Sequence, residues 1–245
     1  MKAAVFDSGI GGLTVVKSLL EHNLFDEIIY FGDTARVPYG IKDKNTIIRY
    51  SLEALEFFKN FDPDILIAAC NSVSAYAIEE LRANAPFPVV GVIEPGVLAL
   101  KRRSIPKNSD ILIIGTKATI NSGKYQRLLK KEGFFNIDSK ATGLFVPIVE
   151  EGIFEGELLD AALRHYFADT KPPKAVILGC THFPLIADKI RDYFGSETIL
   201  IHSGEAIVEH LEREFEVKKR DKQCSLKLFA SESPQNLKKI AGLWL

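Results

Sequence analysis

Cysteine is scarce in this 245-residue sequence, with three in all, at positions 70, 180 and 224. An odd number so widely spaced excludes a disulfide framework. No C-x-x-C and no Cys/His cluster at ligand spacing occurs, which argues against structural zinc. Long apolar runs are lacking too. None approaches the roughly 18 residues needed to span a bilayer. The opening "MKAAVFDSG" turns too soon to hold the apolar stretch and cleavage site of a secretory leader. An excess of charge is also missing. The net charge is -1 at pH 7, and the one short basic cluster, "KRRSIPK" (101–107), has no interleaved aromatics. The charge argues against a broad nucleic-acid footprint while leaving room for a local basic patch, and the cluster reads as a solvated helix end and loop. The expectation is a soluble protein of the reducing cytoplasm, with no metal and no nucleic-acid or membrane partner.

What is present is an ordinary globular composition, 47% hydrophobic and 26% charged. A chain of this size can bury roughly 70–75% of its unfolded surface without staples. Short apolar runs at 3–7, 27–31, 64–69, 88–92, 110–115, 175–179 and 198–202 read as strands. Amphipathic stretches at 12–22, 45–59, 73–83, 96–103, 119–132, 155–168, 184–194 and 204–215 read as helices. Strands apolar throughout and separated by helices imply parallel sheets covered on both faces. The alternating "SLKLFAS" (225–231) reads as a half-exposed edge strand before a last helix at 234–243.

A weak internal repeat runs through this pattern. One strand ends on Asp7-Ser8, and about sixty residues later another ends on Cys70-Asn71. In the second half, "DILIIGTKAT" ends on Thr116, and a similar distance later a strand ends on Cys180-Thr181. The expected fold is α/β, with two pseudo-symmetric, open, mainly parallel sheets. Residues 1–94 plus 209–245 would form the first domain and 95–208 the second. Ligands of open α/β sheets bind at the carboxyl edges of the strands. Two such edges facing each other would make a cleft with one thiol on each wall.

"ILIAACNSV" (65–73) and "VILGCTHFP" (176–184) share an odd device, a buried strand that ends on a free thiol followed at once by polar groups. A lone cysteine often merely packs. Two in matching places point to chemistry, because a thiol at a helix start is easier to ionise than its ordinary value of about 8.5. Cys224, in a charged stretch, reads as a surface or packing residue. "FDSGIGG" (6–12) is neither a dinucleotide fingerprint nor a Walker loop. Its N–H groups could face an anion, although Asp7 would repel a pyrophosphate and suit a smaller ligand with a cationic group. The alternative is a tight turn with Ser8 as helix cap. "FGDTARVPYG" (31–40) is a polar loop that could reach a ligand. "GTKAT" (115–119) offers two hydroxyls for binding or capping. Glu150 and Glu151 read as solvated on spacing alone. His182 could tune the neighbouring thiol or simply cap.

"VFDSGIGGLTV", "YFGDTARVPYG", "AACNSVSA", "VIEPG" and "LGCTHFPLI" occur in order across most of the chain. Together they closely resemble the glutamate racemases of the aspartate/glutamate racemase superfamily. The resemblance implies two α/β domains related by pseudo-symmetry, an active site between them, and cofactor-independent interconversion of L- and D-glutamate for peptidoglycan synthesis. Cys70 would take the α-proton from D-glutamate and Cys180 from L-glutamate. Asp7 and His182 would assist them, with Asp33 and Glu150 as further catalytic acids. Ser8, Tyr39, Gly40, Asn71, Ser72, Thr116, Thr119, Thr181 and His182, with Asp7, would hold the substrate. A homodimer is the expected assembly. Asn71-Ser72-Val73 departs from the family's usual Asn-Thr-Ala; the serine keeps the hydroxyl.

Inverting a stereocentre without redox chemistry needs two acid/base groups on opposite faces, one charged and one protonated. Thiols suit this because their pKa lies near working pH. The competing readings are an aspartate racemase, a hydrolase or amidase with Cys180 as nucleophile and His182 as base, a redox pair, and a non-catalytic amino-acid sensor.

Overall fold

The computed structural model describes residues 1–220 and 223–245. Its strands are β1 (Lys2–Asp7), β2 (Glu27–Gly32), β3 (Ile65–Ala68), β4 (Val89–Gly91), β5 (Ile111–Gly115), β6 (Ile137–Ala141), β7 (Ala175–Gly179), β8 (Ile199–Ile201) and β9 (Ser225–Ala230). The helices are α1 (Leu13–Glu21), α2 (Lys44–Lys59), α3 (Asn71–Tyr76), α4 (Ile78–Asn84), α5 (Ile93–Arg102), α6 (Lys117–Asn121), α7 (Lys124–Lys131), α8 (Phe145–Glu150), α9 (Glu157–Phe167), α10 (Ala187–Phe194), α11 (Ser203–Glu214) and α12 (Pro234–Trp244). Tyr39–Ile41 and Phe183–Ile186 form 3₁₀ turns. Among the described residues, no helix is long and apolar enough to cross a membrane.

Two parallel sheets result, in the orders β4-β3-β1-β2-β9 and β6-β5-β7-β8. Their inner strands β1, β3, β5 and β7 are buried on both faces, which is why they read as hydrophobic runs. In β1, Ala3 and Val5 join one core cluster while Ala4 and Phe6 join another. In β5, Leu112 and Ile114 face one way, Ile111 and Ile113 the other. The strand period of two thus feeds a core on each side of each sheet. β9 pairs with β2 at the sheet edge, as its alternation implied.

The strand orders decide where a ligand can go. In the first sheet the chain runs from β1 outward to β2, then returns past β1 to β3. In the second it runs from β5 to β6, then returns past β5 to β7. The β1/β3 and β5/β7 boundaries are therefore topological switch points, where a crevice opens at the carboxyl ends. The chain places Asp7-Ser8 and Cys70 at the first, Thr116 and Cys180 at the second. The two lobes meet through α5, which packs on α11, and through Trp244 of α12, which touches a core cluster of each lobe.

The differences from the sequence pattern are local. The single helix expected at 73–83 is α3 and α4, which meet at Ala77. That at 119–132 is broken by Gly123, whose φ of 63° interrupts the run between α6 and α7. The helix expected from 184 opens as a 3₁₀ turn. β6 and α8 lie where neither strand nor helix was expected. The boundary at 208/209 falls inside α11 rather than in a loop. Lys101 and Arg102 end α5 and pair with Glu132, Glu209 and Glu214 across the surface. Residues 221–222, within the charged stretch before Cys224, lie outside the described residues.

Candidate active site

Cys70 caps α3, separated from the end of β3 by Ala69 alone, and Cys180 follows β7 directly. Both are free and both only 6% exposed. They line one cavity, together with Ser8, Tyr39, Gly40, Asn71, Ser72, Thr116, Thr119, Thr181 and His182. The cavity volume is about 30 Å³, space for two or three water centres at roughly 10–15 Å³ each. The lobes are closed against each other. A Cβ on Gly11 would lie 2.4 Å from Thr181 Oγ1 and 2.6 Å from the His182 ring, and one on Gly40 would lie 2.4 Å from Thr116 Cβ. Only glycine allows these approaches.

The walls differ in their polar groups. Behind Cys180, His182 Nδ1 lies 3.6 Å from the sulfur and His182 Nε2 lies 3.0 Å from Glu150 Oε1. Burial works against the imidazolium, but the hydrogen bonds and negative charge of Cys180 and Glu150 prevail and push the His182 pKa up to about 10. Glu150 and Glu151 are both exposed, as their spacing implied, but Glu150 ends α8 with its carboxylate turned onto this histidine.

Cys70 Sγ has Ser8 Oγ at 3.5 Å. Burial, with the charge of Asp7 next, pushes this thiol up to about 12; Ser8 and the Val73 N–H offset part of it. The expectation that a helix start would ease its ionisation is corrected here. α3 is six residues long, and its N-terminal N–H groups are outweighed by desolvation and a buried carboxylate. Asp7 is itself fully buried. Burial raises its pKa, against the charge of His182 and hydrogen bonds from the Gly9 and Gly12 N–H groups and Thr181. The Gly9 N–H donates to Asp7 Oδ2 at 2.9 Å and Thr181 Oγ1 to Asp7 Oδ1 at 3.3 Å. The glycine loop thus turns N–H groups onto Asp7 rather than holding them all for an anion. Ser8 is not the helix cap, which is Gly12.

A knot of hydroxyls closes the other end. Ser72 Oγ lies 3.0 Å from Thr116 Oγ1 and 3.4 Å from Thr119 Oγ1, joining the lobes. Thr116 also caps α6. Asp33 differs from the expected catalytic acid. It sits behind Tyr39, accepting hydrogen bonds from the Tyr39 hydroxyl, from Arg36 Nε at 2.6 Å and from Ser231 Oγ at 2.8 Å. It supports the Tyr39 loop rather than lining the cavity. Cys224 is half-buried against the first lobe's core, remote from the cleft.

Val37, Pro38, Val146 and Gly179 also line the cavity, and Tyr125 and Ser203 stand behind Asn71. Val37, Pro38 and Gly179 lay inside motifs quoted from the sequence, but apolar side chains carry no chemical signal. Tyr125 has no local signal, since its hydroxyl reaches the site from another element. Among the described residues, no group of three His, Cys, Asp or Glu is placed to hold a metal ion.

The family model for Asp/Glu/Hydantoin racemase matches residues 14–211. The chain belongs to this racemase family. A relative from a Nitratiruptor species named glutamate racemase is 74% identical over the whole chain and 96% of its own length. The crystal structure of glutamate racemase from Campylobacter jejuni is 55% identical, with a TM-score of 0.98, covering 100% of this chain and 98% of that one. The Francisella tularensis glutamate racemase, solved with D-glutamate, is 32% identical with a TM-score of 0.87, covering 100% and 93%. In this racemase, as in those structures, two parallel-sheet lobes are joined in one chain, and its thiols stand at the two switch points.

Proposed function

We propose that this chain interconverts L- and D-glutamate without a cofactor, with Cys70 and Cys180 as paired acid/base groups, and that the D-glutamate supplies peptidoglycan synthesis. What carries the reading is that two free, buried thiols from two separate sheets line one cavity. Relatives named glutamate racemase, one solved with D-glutamate, support glutamate as the substrate. We place the enzyme in the cytoplasm as a homodimer. We divide it at 1–94 plus 209–245 and 95–208, with α11 shared between the lobes.

In this reading Cys180 takes the α-proton of L-glutamate while Cys70 delivers its own proton to the opposite face; the reverse turnover exchanges the roles. The charges on the two walls suit proton removal from the L substrate. Cys70 is held as a thiol by burial, and His182 holds a proton beside Cys180. Acid–base catalysis supplies roughly 10²–10⁴-fold. The rest comes from position and from fixed charge around the developing carbanion. Asp7 keeps the amino group protonated, which acidifies the α-carbon. Ser8, Tyr39, Gly40, Asn71, Ser72, Thr116, Thr119 and Thr181 hold the carboxylates through hydroxyl, amide and N–H donors. Glu150 acts through His182, and Asp33 acts by holding Tyr39. The lobes, packed against each other across the cleft, part to admit the diacid and close over it.

The test is turnover in deuterium oxide, begun separately from each enantiomer. The inverted product should carry deuterium at the α-carbon as it forms, while unreacted substrate stays largely protiated at early times. Inversion without deuterium uptake, or no inversion, sinks the reading. One observation favours a second reading, since Cys180, His182 and Glu150 also form a nucleophile, base and orienting acid in sequence. A hydrolase of that kind leaves Cys70 without a task. A thioester on Cys180, detected by mass spectrometry with amide or ester substrates, would favour it.

A further inference from the structure

The second lobe reaches across the cleft to hold a binding group of the first. Asn71 lines the cavity, and its amide is clamped from behind. The hydroxyl of Tyr125, on α7, donates to Asn71 Oδ1 at 2.8 Å, and Asn71 Nδ2 donates to Ser203 Oγ, on α11, at 3.4 Å. We infer that Tyr125 is a positioning residue that fixes the Asn71 amide so that the second hydrogen of its N–H₂ end can be donated into the cleft, and so sets carboxylate affinity.

The two ends of a primary amide have nearly the same shape and opposite polarity. Turned the wrong way, Asn71 would present a carbonyl oxygen to a substrate carboxylate. A donor on one side and an acceptor on the other select the useful orientation, and Tyr125 supplies the shorter contact. The Tyr125 side chain is 1% exposed. It runs beside two glycines, one of them immediately before Cys180: a Cβ on Gly179 would lie 3.3 Å from its ring, and one on Gly96 would lie 3.4 Å from its hydroxyl. Burial, with the charge of Cys180 adding and a hydrogen bond with Ser203 offsetting part of it, pushes the phenol upward, so it keeps the proton it donates. Ser203 is fixed in turn by donating to the Leu178 carbonyl at 3.4 Å. Because Tyr125 and Asn71 belong to different lobes, the amide is set when the lobes close.

The inference rests on glutamate being the substrate, and the experiment separates the two. D-glutamate dissociation constants are measured by calorimetry for the parent, Tyr125→Phe, Asn71→Ala and the double variant, with racemisation and thermal melting alongside. Tyr125→Phe should weaken binding and raise KM about tenfold, near 1.4 kcal/mol, with kcat within threefold. The double variant should bind no worse than Asn71→Ala, as expected when one residue acts only through the other. Ser203→Ala, which loosens the other end of the clamp, should weaken binding about threefold. An unchanged dissociation constant in Tyr125→Phe overturns the inference, as does an additive double variant or a loss confined to kcat. If Tyr125→Phe does not fold, unchanged binding in Ser203→Ala overturns it. A parent that binds glutamate but does not racemise it overturns the racemase reading alone. A parent that does not bind it overturns both.

Discussion

The two walls of the cleft match in backbone and differ in charge. Each presents a thiol at the end of a buried parallel strand, next to a neighbouring strand end that carries a hydroxyl: Ser8 beside Cys70, Thr116 near Cys180. Cys180 has a basic partner, His182, itself held by Glu150. Cys70 has Ser8 and, nearby, a buried carboxylate that works against its ionisation. The matching strand ends therefore place the two sulfurs, and the side chains grafted on the fold give each a different charged neighbour.

The largest effect that could break this comparison comes from removing either sulfur. Cys70→Ser and Cys180→Ser should each lower kcat by ~10³-fold or more, since a serine hydroxyl is a far poorer base at working pH. Both variants should fold, the change being nearly isosteric, and circular dichroism checks that. Either one retaining turnover within tenfold of the parent would show that its wall is dispensable.

His182→Asn acts on one wall only and should cost ~10²-fold. L- and D-glutamate are mirror images, so their equilibrium constant is one and kcat/KM must fall equally in both directions. The asymmetry shows elsewhere. Transfer at Cys180 becomes the slow step, so the primary isotope effect from α-deuterated L-glutamate should rise while that from the D form should not. Equal rises in both would mean that His182 serves the two thiols alike.

A milder change, Glu150→Gln, keeps the histidine but removes the charge that helps hold its proton. Turnover near pH 8 should drop about tenfold, and the alkaline limb of the kcat/KM profile should move to lower pH. The same groups give each wall its own stability window. His182 has an ordinary pKa of 6.5 and a folded one of about 10. Its contribution is fully present below 6.5 and is lost as pH rises through about 10. Cys70 goes from 9.0 to about 12, so its contribution is lost between those values. Melting temperature followed against pH should lose the lower window in His182→Asn and the upper one in Cys70→Ser. Unaltered slopes would place the titrations elsewhere.

These features were unequally legible in the sequence. Strands buried on both faces announced themselves, because β1, β3, β5 and β7 are apolar throughout and end abruptly on polar groups. β6, "IDSKA", did not. It is a partly exposed edge strand whose aspartate, serine and lysine mimic a loop. α8 was hidden by Pro147 in its middle and by its shortness. At the site, the thiols, the hydroxyls and the glycine loop were readable, since the chemistry lies in the residue types. The direction of the Cys70 shift was not, because it depends on burial and on Asp7 from another strand. The partnership of Glu150 with His182, and of Tyr125 with Asn71, likewise exists only once two elements are brought together.

The smallest expected effect concerns Asp33, which the sequence placed among the catalytic acids and the fold places one layer out. Asp33→Asn keeps the shape but removes the charge that Arg36, Tyr39 and Ser231 all share. Weakening such a buried set should destabilise the fold by ~1–3 kcal/mol. Because Tyr39 packs in the first lobe's core and lines the cavity as well, KM should rise a few-fold while kcat stays within about threefold. Steady-state kinetics with thermal melting separates the cases. A ~10³-fold loss in kcat at unchanged stability would return Asp33 to the reacting groups, and the first lobe's wall would then hold a second acid with a direct task. A fall in stability with near-normal kcat would keep the chemistry where the two sulfurs and His182 line one cavity.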